Sequence, residues 1–97
     1  MDSQPIQTQP IQIKAADEDL KGRFSNTTQI TQQEEHFILD FFLLAPPAGQ
    51  LVSRIITTPA HMKALKIVID EQLKIYEENF GKVKAAKQKT NIGFTAE

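Results

Sequence analysis

The chain has no cysteine, no tryptophan and a single tyrosine among its 97 residues. Without thiols it forms neither disulfides nor thiolate metal sites, and cysteine-based catalysis is excluded. Basic charge is not in excess either: the formal net charge is -1, so nucleic acid is not the default partner of the chain as a whole. No apolar run approaches the ~20 residues of a membrane span, and the N-terminus lacks the apolar core of a signal peptide. A cytoplasmic protein without a membrane partner is therefore expected. The length allows one domain, and the polar ends leave roughly 60 residues of patterned core. Such a domain buries roughly 60% of its unfolded surface and is marginal alone. With disulfides excluded, oligomerisation is a standard remedy.

Three segments follow from the patterning. Residues 1–19 open with a near-repeat, Gln4-Pro5-Ile6-Gln7 and Gln9-Pro10-Ile11-Gln12, and read as a flexible arm. Ile11 and Ile13 alternate with polar neighbours, which leaves open a fourth, N-terminal edge strand. Residues 20–82 read as one β-β-β-α domain. Residues 83–97 read as a Lys-rich flexible tail that starts as a frayed helical extension.

Within the domain, Phe24, Asn26, Thr28 and Ile30 share one face of a first strand over residues 22–31. Setting Ile30 opposite Phe37 places Thr28 with Leu39, Asn26 with Phe41 and Phe24 with Leu43. The next strand is apolar on both sides. Phe37, Leu39, Phe41 and Leu43 form one face, and Ile38, Phe42 and Leu44 form the other, interrupted only by Asp40. Beyond the turn Ala45-Pro46-Pro47-Ala48-Gly49, setting Leu43 opposite Leu51 pairs Phe42 with Val52, Ile38 with Ile56, and Asp40 with Arg54. Opposite charges facing across a ladder stabilise it, so the two odd residues explain one another.

The helix begins with Thr58 as N-cap and Pro59 in the first turn, and Gly81 stops it. Met62, Leu65, Ile69, Leu73, Tyr76 and Phe80 make a stripe expected to pack on the Phe37/Leu39/Phe41/Leu43 face. Beside it, His61, Val68, Gln72, Ile75 and Asn79 widen the apolar arc and suggest a second contact. Lys66/Asp70, Asp70/Lys74 and Lys74/Glu78 are weak surface pairs on the other side.

One helix covers one sheet face, so the face around Asp40 needs another cover. A homo-oligomer is expected, a dimer or dimer of dimers, with interface candidates Ile38, Asp40, Phe42, Val52, Arg54, Ile56, Val68 and Ile75. The same surface is a candidate for binding polypeptide. Asp40 in an apolar setting also has the makings of a general acid or base, but no nucleophile, metal cluster or glycine loop accompanies it, and a structural ion pair is the better account. No catalytic residue is assigned. His36 and His61 lack metal-ligand spacing, so neither metal nor cofactor is expected. Lys82, Lys84, Lys87 and Lys89 are candidate phosphate contacts, which gives nucleic-acid association through the tails as the alternative function. Ile92 and Phe94 stand out as two apolar residues in a polar end, a short docking peptide at most.

The combination of Asn26, Glu35-x-Phe37-x-Leu39-Asp40-Phe41, Ser53-Arg54-Ile55, Pro59-x-His61 and Tyr76-Glu77-x-x-Phe80-Gly81 resembles a small prokaryotic family of domains of unknown function. It spans residues 22–82, and it implies no activity. The order of strands before a long helix is similar in architecture to the SecB-type export chaperones, without shared motifs. The expected fold is α+β: a three-stranded antiparallel meander followed by one long helix packed on one sheet face.

Overall fold

A computed structural model describes residues 9–87 and 92–94. Its elements are α1 (Asp17–Lys21), β1 (Thr27–Gln32), β2 (Phe37–Ala45), β3 (Ala48–Thr57) and α2 (Pro59–Phe80). The strands form one antiparallel sheet in the order β1-β2-β3, and the long helix follows, giving the expected α+β arrangement.

The first hairpin keeps the expected faces, the second keeps them only as far as Ser53, and both differ in register. In the first, Ile30 pairs with Leu39 and Thr28 with Phe41, two residues from the expected alignment. The apex of the turn moves by one residue, and the hairpin is closed by Gln33 N donating to His36 O at 2.8 Å. A shift by two preserves the side of every residue, which is why alternation alone does not distinguish the two alignments. Phe24 falls outside β1 and is exposed.

In the second hairpin Phe37/Thr57, Ile38/Ile56, Leu39/Ile55, Asp40/Arg54 and Phe41/Ser53 pair as expected. The ladder then shifts, so that Phe42 meets Leu51 and Leu43 meets Gln50. Val52 is the extra residue of a β-bulge, and the expected pairs Leu43/Leu51 and Phe42/Val52 do not form. The bulge absorbs a hairpin tighter than its composition suggests, because Ala45 already pairs with Ala48 across Pro46 and Pro47, whose peptide bond is cis.

The helix starts as its sequence dictates. His61 N donates to the Thr58 side chain at 3.1 Å, and Gly81 ends α2 at φ 97°, a backbone region favourable only to glycine. Residues 81–87 carry no helix, so the frayed extension is not formed. Its expected packing is also not formed. The strands pack on one another and none packs along α2, which has no buried residue. On its apolar side only Met62 and Leu65, near the sheet, are half-buried. The reason lies in the junction: Thr57 ends β3, Thr58 caps, and Pro59 is already helical. A single residue gives the chain no room to fold back, whereas connections between elements usually take about 4–6 residues.

Two features lie N-terminal to the sheet. Residues 9–16 form no strand, and Ile11 and Ile13 are exposed, so no edge strand is added. The short helix α1 replaces part of the expected flexible arm; three acids in its first turn and Gly22 at φ 76° after it are the signals for it.

The mouth of the sheet is closed by side chains that imitate main chain. Asn26 Nδ2 donates to Leu44 O at 3.0 Å, and Asn26 Oδ1 accepts from Leu44 N at 2.9 Å. Ser25 Oγ donates to Phe42 O at 2.9 Å, and Arg23 donates to the bulge carbonyl of Val52 at 2.9 Å. The Asn26 amide thus continues the ladder beyond β1. Asn26→Ala is expected to lower stability by about 1–2 kcal/mol in urea unfolding. Asn26→Asp should be equally damaging despite its shape, since a carboxylate oxygen then faces Leu44 O.

Candidate functional site

The centre of β2 places Asp40 between Gln29 of β1 and Arg54 of β3. Asp40 is only 2% exposed, the most buried side chain described, and Phe42 beside it on the same face is 3% exposed. Arg54 Nε donates to Asp40 Oδ1 at 2.6 Å and Nη2 donates to Oδ2 at 3.0 Å. This two-pronged pairing fixes the plane of the guanidinium, whose outer side stays about half exposed. The hydrogen bond, and then the nearby charge of the carboxylate, raise the Arg54 pKa above its already high value. The guanidinium is a permanent cation.

One further side chain reaches this face. The ring of Phe94 lies 5.5 Å from that of Phe42, tilted by 45°, and the Arg54 guanidinium carbon sits 5.7 Å from the centre of the Phe94 ring. Ile92, two residues earlier, is half-buried. Phe94 therefore has a defined place, where the sequence offers only two apolar residues in a polar tail. Among the described residues, Gln29 Oε1 is buried without a hydrogen-bond partner.

The interface candidates divide between two surfaces. Ile38, Asp40, Phe42, Arg54 and Ile56 share one sheet face, with the Val52 bulge at its end. Val68 and Ile75 lie on α2, where they join Ile69, Leu73, Tyr76 and Phe80 along an open apolar groove. Tyr76 and Phe80 stack one turn apart, with ring centres 5.0 Å from each other. On the polar side, Lys66 meets Asp70 at 3.1 Å; the described residues show no bond for Asp70/Lys74 or Lys74/Glu78. Lys82, Lys84 and Lys87 are exposed on a segment without regular structure, and Lys89 lies outside the described residues.

His36 closes the first hairpin and His61 stands in the first turn of α2. Among the described residues no group of three metal-binding side chains converges, and no helix is long and apolar enough to cross a membrane.

The ion pair makes an asymmetric demand on the sheet. Arg54→Met leaves a buried carboxylate with no counter-charge, whereas Asp40→Leu with Arg54→Met leaves none. In thermal unfolding the single variant is expected to melt several degrees below the double variant; equal melting points would show that the buried carboxylate does not need its partner.

No curated protein and no solved structure matches the chain. A family model described as Protein of unknown function (DUF3467) matches residues 1–85. That span takes in the N-terminal arm, Asn26, the ion pair and all of α2, and it stops before Phe94. By this match, which covers most of its length, the chain belongs to the DUF3467 family.

Proposed function

We propose that this protein is a non-enzymatic, homo-oligomeric interaction module, an adaptor or small chaperone-like protein, whose first partner is a second copy of itself. The observation that carries this is α2, a 22-residue helix without a buried residue whose apolar side is open from Val68 to Phe80. Most helical stability in proteins comes from packing an amphipathic face, and within one chain only Met62 and Leu65 of this face are even half-buried.

The rest of the molecule is short of burial in the same way. Leu39 and Phe42 are its only buried apolar residues among those described, while Ile30 and Ile55, which flank Leu39 on its own sheet face, are half exposed. The accessible surface is 9542 Å², against about 5600 Å² for a compact monomer of this mass. The radius of gyration is 18.1 Å, against about 13 Å for a compact domain of this length.

The charges on α2 support a second copy as the cover. Lys63 and Lys66 lie in its N-terminal half, and Asp70, Glu71, Glu77 and Glu78 outnumber Lys74 in its C-terminal half. A helix dipole favours the reverse order, with acids first and bases last. Two α2 helices side by side and antiparallel turn this mismatch into complementarity. Lys66 of one then lies beside Glu77 of the other, twice, about a two-fold axis near residue 71. Parallel pairing sets like charges together.

Polypeptide binding on the sheet is a second capacity of the same module. The absence of cysteine fits a reducing compartment such as the cytoplasm. Nucleic-acid association through the tail lysines has less support, since Lys82, Lys84 and Lys87 are not held in a patch.

Light scattering after size exclusion tests the proposal. A dimer or dimer of dimers is expected, with Leu73→Asp shifting it to folded monomer. Lys66→Glu and Glu77→Lys should each weaken association roughly tenfold, and the two together should restore it. A wild-type chain that stays monomeric at high concentration contradicts the proposal.

A further inference from the structure

The face around Asp40 and Arg54 has the build of a site for one particular side chain. Its floor is Phe42, held in the centre of the sheet. Its clamp is Arg54, which cannot swing freely because both of its prongs are engaged by a buried carboxylate. Between them rests Phe94, in contact with an aromatic ring and a cation at once. Both contacts favour a π system over an aliphatic chain.

We propose that this face binds an extended polypeptide segment carrying an aromatic residue, and that the chain's own Ile92-Gly93-Phe94 segment occupies the site in cis. Phe94 remains 55% exposed, so it rests on the site and does not complete a core. Ile92 of the same segment is half-buried, whereas Gly93 between the two apolar residues is exposed. Phe42, Asp40 and Arg54 fall within the family-matched residues, whereas this occupant lies beyond them. The site thus belongs to the domain and the occupant to its appendage. A tethered occupant acts at an effective concentration that a free segment has to exceed. A partner in trans must outcompete it, and weakening the cis segment opens the site.

The inference deepens the polypeptide-binding part of the proposed function and rests on it. Its test uses the full chain and a fluorescent peptide of residues 88–97 as the probe. The Phe94→Ala chain should capture the peptide at least tenfold more tightly than the wild-type chain, because its own occupant is disabled. A peptide carrying the same substitution should bind neither chain. Residue 94 follows the last element and is largely exposed, so the variant retains its fold, which circular dichroism verifies. Equal binding to both chains, binding to neither, or binding that ignores the peptide's phenylalanine overturns the site. Light scattering on the same samples separates this from the oligomer: a monomer that captures the peptide keeps the site and loses the dimer, and a dimer that ignores the peptide does the opposite.

Discussion

Because β3 ends at Thr57 and α2 begins at Pro59, the helix must leave the sheet where the strand stops, and the remaining architecture follows from that junction. A longer connection would let the stripe from Met62 to Phe80 lie across Phe37, Leu39, Phe41 and Leu43, giving a small sheet-and-helix monomer. The one-residue junction keeps these two apolar surfaces apart within a chain. Burial is then confined to the centre of β2, and the molecule extends to 65 Å. About 33 Å of that is within reach of α2, at 1.5 Å per residue over 22 residues. The apolar surface that would stabilise a monomer is instead presented outward, along a rod whose two halves carry opposite charge.

Around this small core the sheet matches most of its polar groups, Gln29 Oε1 excepted. Asp40 is buried at its centre, yet Arg54 satisfies both carboxylate oxygens from the neighbouring strand. The Asn26 amide pairs with both main-chain groups of Leu44 and extends the ladder past the end of β1. These interactions fix register and geometry more than they add stability, since a buried ion pair offsets its Coulomb attraction against the loss of hydration. A fixed register is what holds the Arg54 guanidinium in one orientation, on Asp40 and against the Phe94 ring.

Much of this was legible in the sequence, and the parts that were not have physical causes. Period-two alternation placed the strands and their faces, and it set Asp40 opposite Arg54, because a charge in an apolar strand needs a counter-charge across the ladder. Alternation is blind to a shift by two, so Ile30 was aligned with Phe37 instead of Leu39. It is equally blind to a bulge, so Val52 was paired where the chain inserts an extra residue. The caps and stripe of α2 read clearly from Thr58, Pro59 and Gly81, but periodicity reports which side of a helix seeks cover, not where the cover comes from. That information sat in the junction, in the adjacency of Thr57, Thr58 and Pro59. Phe94 was visible as an apolar residue in a polar tail. Its place above Phe42 depends on a contact about fifty residues distant in sequence, which no local pattern encodes.

The central claim, that α2 is covered by the α2 of a second copy running the other way, is open to a direct distance measurement. With no native cysteine, Lys63→Cys and Glu71→Cys each give a single spin-label position per chain. Electron double-resonance should find a short separation at position 71, near the two-fold axis. At position 63 the two labels are offset along the axis by about 24 Å, from 16 residues at 1.5 Å each, so the separation should be clearly longer. Short separations at both positions would mean parallel helices, and no separation between chains at either would mean that α2 has no such partner; both results contradict the account.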